Sequence, residues 1–308
     1  MLLVLDDDFP DPSVLLAPDG YYYAYATQTK RRGQVLNLQV ARSLDLKTWE
    51  HLGEAMPTKP AWAATTQRFW APDVSRDPAG RYLMYYSAQP DAPGTGMALG
   101  LAVADAPAGP FRDVGQPLLA GDKGFRDLDP MRFVDEASGQ SWLFYGSGFG
   151  PIRVRELAAD GRSFAPGSYE HELVQAAGAG YGQLVEGAWV HPRQGWYYLF
   201  YSGNNCCGPD AHYAVLVARA RHPTGPYQTL ADATGSGEGT ILIENARWQA
   251  PGHNSLITDA SGQDWLLYHA IDRQQPTFDA INAEQGYSRR VMLLSKVDYN
   301  AEGWPVVG

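Results

Sequence analysis

One segment type recurs five times along this chain, and that recurrence limits the folds open to it. Each copy is a short apolar strand, a turn, and then an aromatic strand that ends in a small polar residue or His. The copies are Asp11-Pro-Ser-Val-Leu-Leu with Gly20-Tyr-Tyr-Tyr-Ala-Tyr-Ala, Asp73-Val-Ser with Arg81-Tyr-Leu-Met-Tyr-Tyr-Ser, and Asp129-Pro-Met-Arg-Phe-Val with Ser141-Trp-Leu-Phe-Tyr-Gly-Ser. Glu186-Gly-Ala-Trp-Val with Gly195-Trp-Tyr-Tyr-Leu-Phe-Tyr-Ser and His253-Asn-Ser-Leu-Ile with Asp264-Trp-Leu-Leu-Tyr-His complete the set. Tyr22, Tyr82, Trp142, Tyr197 and Trp265 mark the copies at spacings of 60, 60, 55 and 68 residues. Short strands at such a period, divided by turns such as Pro18-Asp19-Gly20 and Asp77-Pro78-Ala79-Gly80, predict four-stranded propeller blades. Five blades use nearly all of the 308 residues, so we read residues 1–308 as one all-β, five-bladed β-propeller domain. A β-sandwich is the competing all-β reading, but it does not explain so regular a repeat.

Third strands are predicted at Leu38–Ser43, Leu99–Ala104 and Tyr213–Arg219, and fourth strands at Trp49–Leu52, Gly109–Arg112 and Gly225–Gln228. The first strand of a propeller blade lines the central axis. Asp11, Asp73, Asp129, Glu186 and His253 open their copies at nearly equivalent positions, so they are expected to converge at one end of that axis. Clustered carboxylates raise one another's pKa, and burial adds to the effect, so such a ring points to chemistry more than to support. Loops joining second to third strands return to the same face: Thr27–Gln34, Ala88–Gly96, Gly146–Arg153, Gly203–Ala211 and Ala270–Ser288. These are expected to set substrate choice.

Charge bears on partners. With 24 Lys and Arg against 34 Asp and Glu, the net charge of −10 argues against nucleic acid and an anionic membrane surface. Aromatic residues are abundant (9 Trp, 18 Tyr, 10 Phe); most are expected in strands, with a few stacking on sugar. The only cysteines, Cys206 and Cys207, are adjacent, a placement that resists pairing, so no disulfide is expected. The apolar start Met1-Leu-Leu-Val-Leu is too short for a secretory leader, which leaves an intracellular protein or one whose leader has been removed.

Five segments in order resemble glycoside hydrolase family 43, whose members are five-bladed propellers, and the resemblance covers nearly the whole chain. Phe9-Pro10-Asp11-Pro12-Ser13-Val14 is similar to the segment of that family's general base. Phe69-Trp70-Ala71-Pro72-Asp73-Val74 is similar to its second-blade signature. Leu128-Asp129-Pro130 is similar to the segment of its pKa-tuning carboxylate, and Val185-Glu186-Gly187 to that of its general acid. Gly252-His253-Asn254-Ser255, Arg290 and Gly303-Trp304-Pro305 resemble its last blade and closure.

The resemblance implies an inverting glycosidase that needs no cofactor for its chemistry and acts on arabinose- or xylose-containing oligo- or polysaccharide. Asp11 would be the base, Glu186 the acid and Asp129 its orienter and pKa modulator. An inverting pair stands about 6.5–9.5 Å apart, leaving room for the water. Trp70, Arg290, Asp73, Tyr25 and Asn204 are candidates for contact with substrate. His253 is either a structural histidine or a ligand of an axial calcium or other ion whose shell is otherwise water. Among the family's activities, α-L-arabinofuranosidase is favoured over β-xylosidase and endo-1,5-α-L-arabinanase, because no β-sandwich follows the fifth blade. A non-catalytic carbohydrate-binding propeller and a retaining fructan-active enzyme are the readings of other classes.

Overall fold

The computed structural model describes all residues except 123, 179, 238 and 277–288. Five antiparallel sheets surround an axis, and the innermost strands of neighbouring sheets touch in a closed cycle. From the axis outward, blade one runs Ser13–Leu16, Tyr22–Ala26, Gln39–Ser43, Trp49–Glu54. Blade two runs Phe69–Arg76, Tyr82–Ala88, Ala98–Ala104, Arg112–Asp113, and blade three Met131–Val134, Ser141–Tyr145, Ile152–Leu157, His171–Val174. Blade four is Val185–Arg193, Trp196–Asn205, His212–Ala220, Gln228–Thr229, with Thr240–Leu242 added beside its third strand. Blade five takes Trp248–Thr258, Asp264–Asp272 and Arg290–Tyr299 from the end of the chain, and Leu2–Leu5 from its start. Pro305–Val307 also pairs with Arg290–Tyr299.

The aromatic second strands follow from burial on both faces. In Tyr82–Ala88, Tyr82, Met84, Tyr86 and Ala88 pack toward blade one, while Leu83 and Tyr85 pack toward blade three. A strand covered on both sides reads as a continuous apolar run, and large rings fill the wedge that widens between blades. One apolar cluster fills each of the five gaps between blades. Among the described residues no helix is long and apolar enough to cross a membrane.

Just before or within the first half of each inner strand, the backbone takes a left-handed turn. Asp11 (φ 57°), Ala71 (46°), Asp129 (57°), Gly187 (63°) and His253 (46°) occupy this equivalent position in the five blades. Asp, Gly and His tolerate this region better than most residues; Ala71 adopts it too. The turn aims the residue's N–H at the preceding blade, where the polar residue near the end of the second strand usually accepts it. Ala71 N donates to Thr27 Oγ1 (2.8 Å), Asp129 N to Ser87 Oγ (3.0 Å), His253 N to Ser202 Oγ (2.7 Å) and Asp11 N to His269 Nδ1 (3.1 Å). The junction of blades three and four differs: Gly187 N donates to Asp129 Oδ2 (3.2 Å), and the equivalent polar residue, Ser147, is left for another partner.

This register corrects the alignment expected from sequence. Asp73 lies two residues beyond the turn position, which Ala71 occupies, and Glu186 lies one residue before it. Both strands carry bulges here, between Trp70 and Asp73 and between Glu186 and Trp189, and counting along the sequence cannot register them.

Candidate active site

A cavity of about 660 Å³ opens at the end of the axis where the inner strands begin. Asp11, Asp129 and Glu186 line its floor, together with Asp8, Thr27, Ser147, His253 and Arg290. Trp70, Phe125, Leu128, Phe149 and Leu184 form apolar walls, and Asn204, Asn205, Cys206 and Cys207 contribute a polar loop.

Asp11 is enclosed by donors and positive charge. Thr27 Oγ1 donates to its Oδ2, and Arg290 Nη1 donates to its Oδ1 at 3.0 Å. His253 Nδ1 stands 3.4 Å and His269 Nδ1 3.2 Å from the same Oδ1. Burial alone would raise the carboxyl's pKa, but the Arg290 guanidinium and then His253 outweigh it and hold Asp11 well below the usual range. His269, fully buried, is pushed down to about 4 and stays neutral.

Asp129 is held in the opposite direction. Burial, then the nearby Glu186 and Asp11, push its pKa well above the carboxylate range. Its one backbone donor is Gly187, which adjoins Glu186 in the chain. Glu186 itself is gripped at both oxygens: Ser147 Oγ donates to Oε2 (2.6 Å) and Tyr213 Oη to Oε1 (2.8 Å). The arrangement therefore sets one carboxyl held low, Asp11, beside one held high, Asp129, with Glu186 next to it. That division of labour suits a base and an acid on one substrate.

The remaining candidates separate. Trp70 lines the cavity and stacks on Phe125 at 6.2 Å with planes 22° apart. Arg290 reaches Asp11, while Arg289 pairs with Asp6. Asn204 lines the cavity, and its side chain donates to Gly180 O. Tyr25 is not brought to the cavity: its ring lies in the core between blades one and two, and its hydroxyl donates to Pro107 O. Asp73 is not brought there either. It lines a small axial cavity beneath the floor, accepts Arg132 N at 2.8 Å, and is pushed up to about 7 by burial.

That lower cavity, also lined by His253 and Asn254, bears on an axial ion. Both side-chain polar atoms of Asn254, and Ser13 Oγ beside it, are buried without a protein partner and call for a polar occupant. Among the described residues no group of three His, Cys, Asp or Glu could form an all-protein cage. The donors fit a water, or a cation with His253 as its protein ligand and water elsewhere.

Ser147 and His269 were visible in the sequence as polar ends of aromatic strands and Thr27 as the start of a loop, but the repeat alone gave them no role. Nothing in the sequence marked Asp8, Tyr213, Phe125 or Phe149. Asp8 accepts Thr29 Oγ1 and Arg290 N, and burial raises it to about 6. Of the five expected specificity loops, those after Thr27, Gly146 and Gly203 reach the cavity; 88–96 does not, and 277–288 lie outside the described residues. Cys206 and Cys207 form a disulfide, contrary to expectation, because the tight loop between second and third strands of blade four brings the two sulfurs together.

The family model described as "Glycosyl hydrolases family 43" matches residues 3–305. The chain belongs to this family. As a family 43 protein it is 30% identical to the "Extracellular exo-alpha-(1->5)-L-arabinofuranosidase ArbA" of Cellvibrio japonicus, over 88% of this chain and 80% of that one. It is 27% identical to the "Extracellular endo-alpha-(1->5)-L-arabinanase 2" of Bacillus subtilis, over 96% of this chain and 69% of that one. The solved structure "GH43 Endo-Arabinanase from Bacillus licheniformis" superposes with a TM-score of 0.77 at 27% identity, covering 99% of each chain. This family 43 propeller is thus a glycoside hydrolase.

Proposed function

We propose that this glycoside hydrolase is an inverting α-L-arabinofuranosidase acting on arabinose-containing polysaccharide or its oligosaccharides. The observation that carries the mechanism is the opposed setting of two carboxyls, Asp11 held low by Arg290 and Asp129 held high by burial beside Glu186. Asp11 takes a proton from a water as that water's oxygen attacks the anomeric carbon. Glu186 gives its proton to the departing glycosidic oxygen. The products are a free sugar of inverted anomeric configuration and a shortened alcohol. Arg290 and Thr27 keep Asp11 ionised and aimed, and Asp129 keeps the proton available to Glu186.

Trp70 offers its ring face to a sugar, and Phe125 behind it fixes the plane. Asp8 and Asn204 stand as hydrogen-bonding groups for sugar hydroxyls. A cation at His253 would add positive charge near Asp11 and Asp129 and favour their ionised forms.

The relatives' activities support arabinose over xylose, and the exo-acting relative has the higher identity of the two named. The endo-arabinanase reading is kept because several relatives carry that name. One panel separates the readings: nitrophenyl arabinofuranoside, nitrophenyl xyloside, linear arabinan and arabinoxylan, with product sizes and the first-formed anomer followed by NMR. Release of arabinose alone from arabinan, with inversion, is the expected result. Early release of longer oligomers selects the endo enzyme, and retention of configuration removes the mechanism.

A further inference from the structure

Tyr213 has no place in the expected machinery, yet it joins both halves of it. It sits in the third strand of blade four and is fully buried, and it does not line the cavity. Its hydroxyl donates to Glu186 Oε1 at 2.8 Å. Its ring lies parallel to the His269 imidazole, with centroids 5.8 Å apart and planes 5° apart. His269 Nδ1 in turn accepts the Asp11 backbone N–H at 3.1 Å. The ring also presses on Gly252, where a Cβ would come within 2.2 Å of the ring carbon Cδ1. The phenol is therefore clamped and has no other rotamer to adopt without displacing a neighbour.

We propose that Tyr213 is the positioning residue of the general acid, acting with His269 as a rigid spacer between the acid of blade four and the base of blade one. This rests on the proposed role of Glu186. The buried phenol turns Oε1 away from the cavity, and Oε2, beside the cavity-lining Ser147, is the oxygen on the substrate side that carries the proton to the glycosidic oxygen. Without the phenol the carboxyl can rotate, and the proton no longer points at the leaving group. A misaligned acid matters only where the leaving group needs protonation.

The test is Tyr213→Phe, compared on arabinan and on dinitrophenyl arabinofuranoside, whose leaving group departs without help. Kcat on arabinan should fall roughly ten- to hundredfold, the scale of a lost hydrogen bond to a charged group, with KM little changed. On the activated substrate the loss should stay below about threefold, and the alkaline limb of the kcat–pH profile should move, because a donor to the acid is gone. In a Glu186→Gln background the same change should do almost nothing further, since a residue acting through Glu186 has nothing left to act on. Equal losses on both substrates, or an equal loss in both backgrounds, would mean a purely structural tyrosine and overturn the proposal. So would full arabinan activity in Tyr213→Phe. If Glu186→Gln itself keeps arabinan hydrolysis, the acid assignment falls and this proposal falls with it. Should Tyr213→Phe fail to fold, Gly252→Ala pushes the ring from the other side and must show the same dependence on leaving group.

Discussion

Four donors, Thr27, Ser147 and Arg290 at the cavity floor and Tyr213 buried behind it, set where Asp11 and Glu186 point. Asp11→Asn and Glu186→Gln keep shape and remove proton transfer. Each should lower kcat on arabinan by roughly 10²–10⁴-fold with the melting temperature nearly unchanged, as read by steady-state kinetics and thermal unfolding. Glu186→Gln should lose far less on an activated aryl arabinofuranoside than Asp11→Asn, because only the water still needs its base. Similar losses for the two variants on that substrate would refute the division of roles. Arg290→Met tests the tuning of Asp11. The pKa of Asp11 is depressed, so it contributes stability that is present above the unfolded carboxylate value and lost as pH falls through the folded one. Without Arg290 that folded value rises. The acidic limb of the kcat–pH profile should therefore move to higher pH, and an unmoved limb would show that the guanidinium does not govern the base.

At the level of the strand, the sequence carried the architecture further than the register. Aromatic runs such as Tyr82–Ala88 announce strands buried on both faces, and their period announces five blades. What the sequence could not carry is where each inner strand turns left-handed, since the bulges that follow Trp70 and Glu186 add residues without changing the pattern of residue types. Asp73 illustrates the difference. It looked like a member of the axial ring but lies two residues deeper, where burial raises it to about 7. The sign of the consequence is fixed by that direction. Between an unfolded pKa of about 3.9 and the folded value, the folded chain holds the extra proton, so stability falls as pH rises across roughly 4 to 7. Asp73→Asn keeps an acceptor for Arg132 N and cannot ionise. It should match the parent protein near pH 4 and exceed it by on the order of 1–3 kcal/mol at pH 8, measured by urea unfolding across that range. A constant difference between the two proteins at every pH would remove Asp73 from the titration.

Across the whole molecule, the site depends on how the ring closes. The chain's first strand, Leu2–Leu5, is the outermost strand of the last blade and pairs with Arg290–Tyr299. That partner strand opens with Arg290, which donates to Asp11, and the segment leaving Leu5 runs straight to Asp11. Read as a short apolar start, residues 1–5 gave no sign of this, because strand pairing across the length of the chain leaves no local pattern. Val4 is buried in the cluster between blades five and one, and so are Leu294, Met292 and Phe9. Val4→Asp would put an unpaired carboxylate there, at a cost of about 3 kcal/mol or more. For a domain of this size that is a fall of roughly 5–10 °C in melting temperature. If closure also positions the base, the loss should not be confined to stability. Well below its own melting temperature the variant should show a reduced kcat on arabinan and a raised acidic limb, as Arg290 loosens its hold on Asp11. A variant that melts early but keeps the parent kcat and pH profile would mean that blade closure stabilises the ring without tuning the base, and that the Arg290–Asp11 contact is maintained from within blades five and one alone.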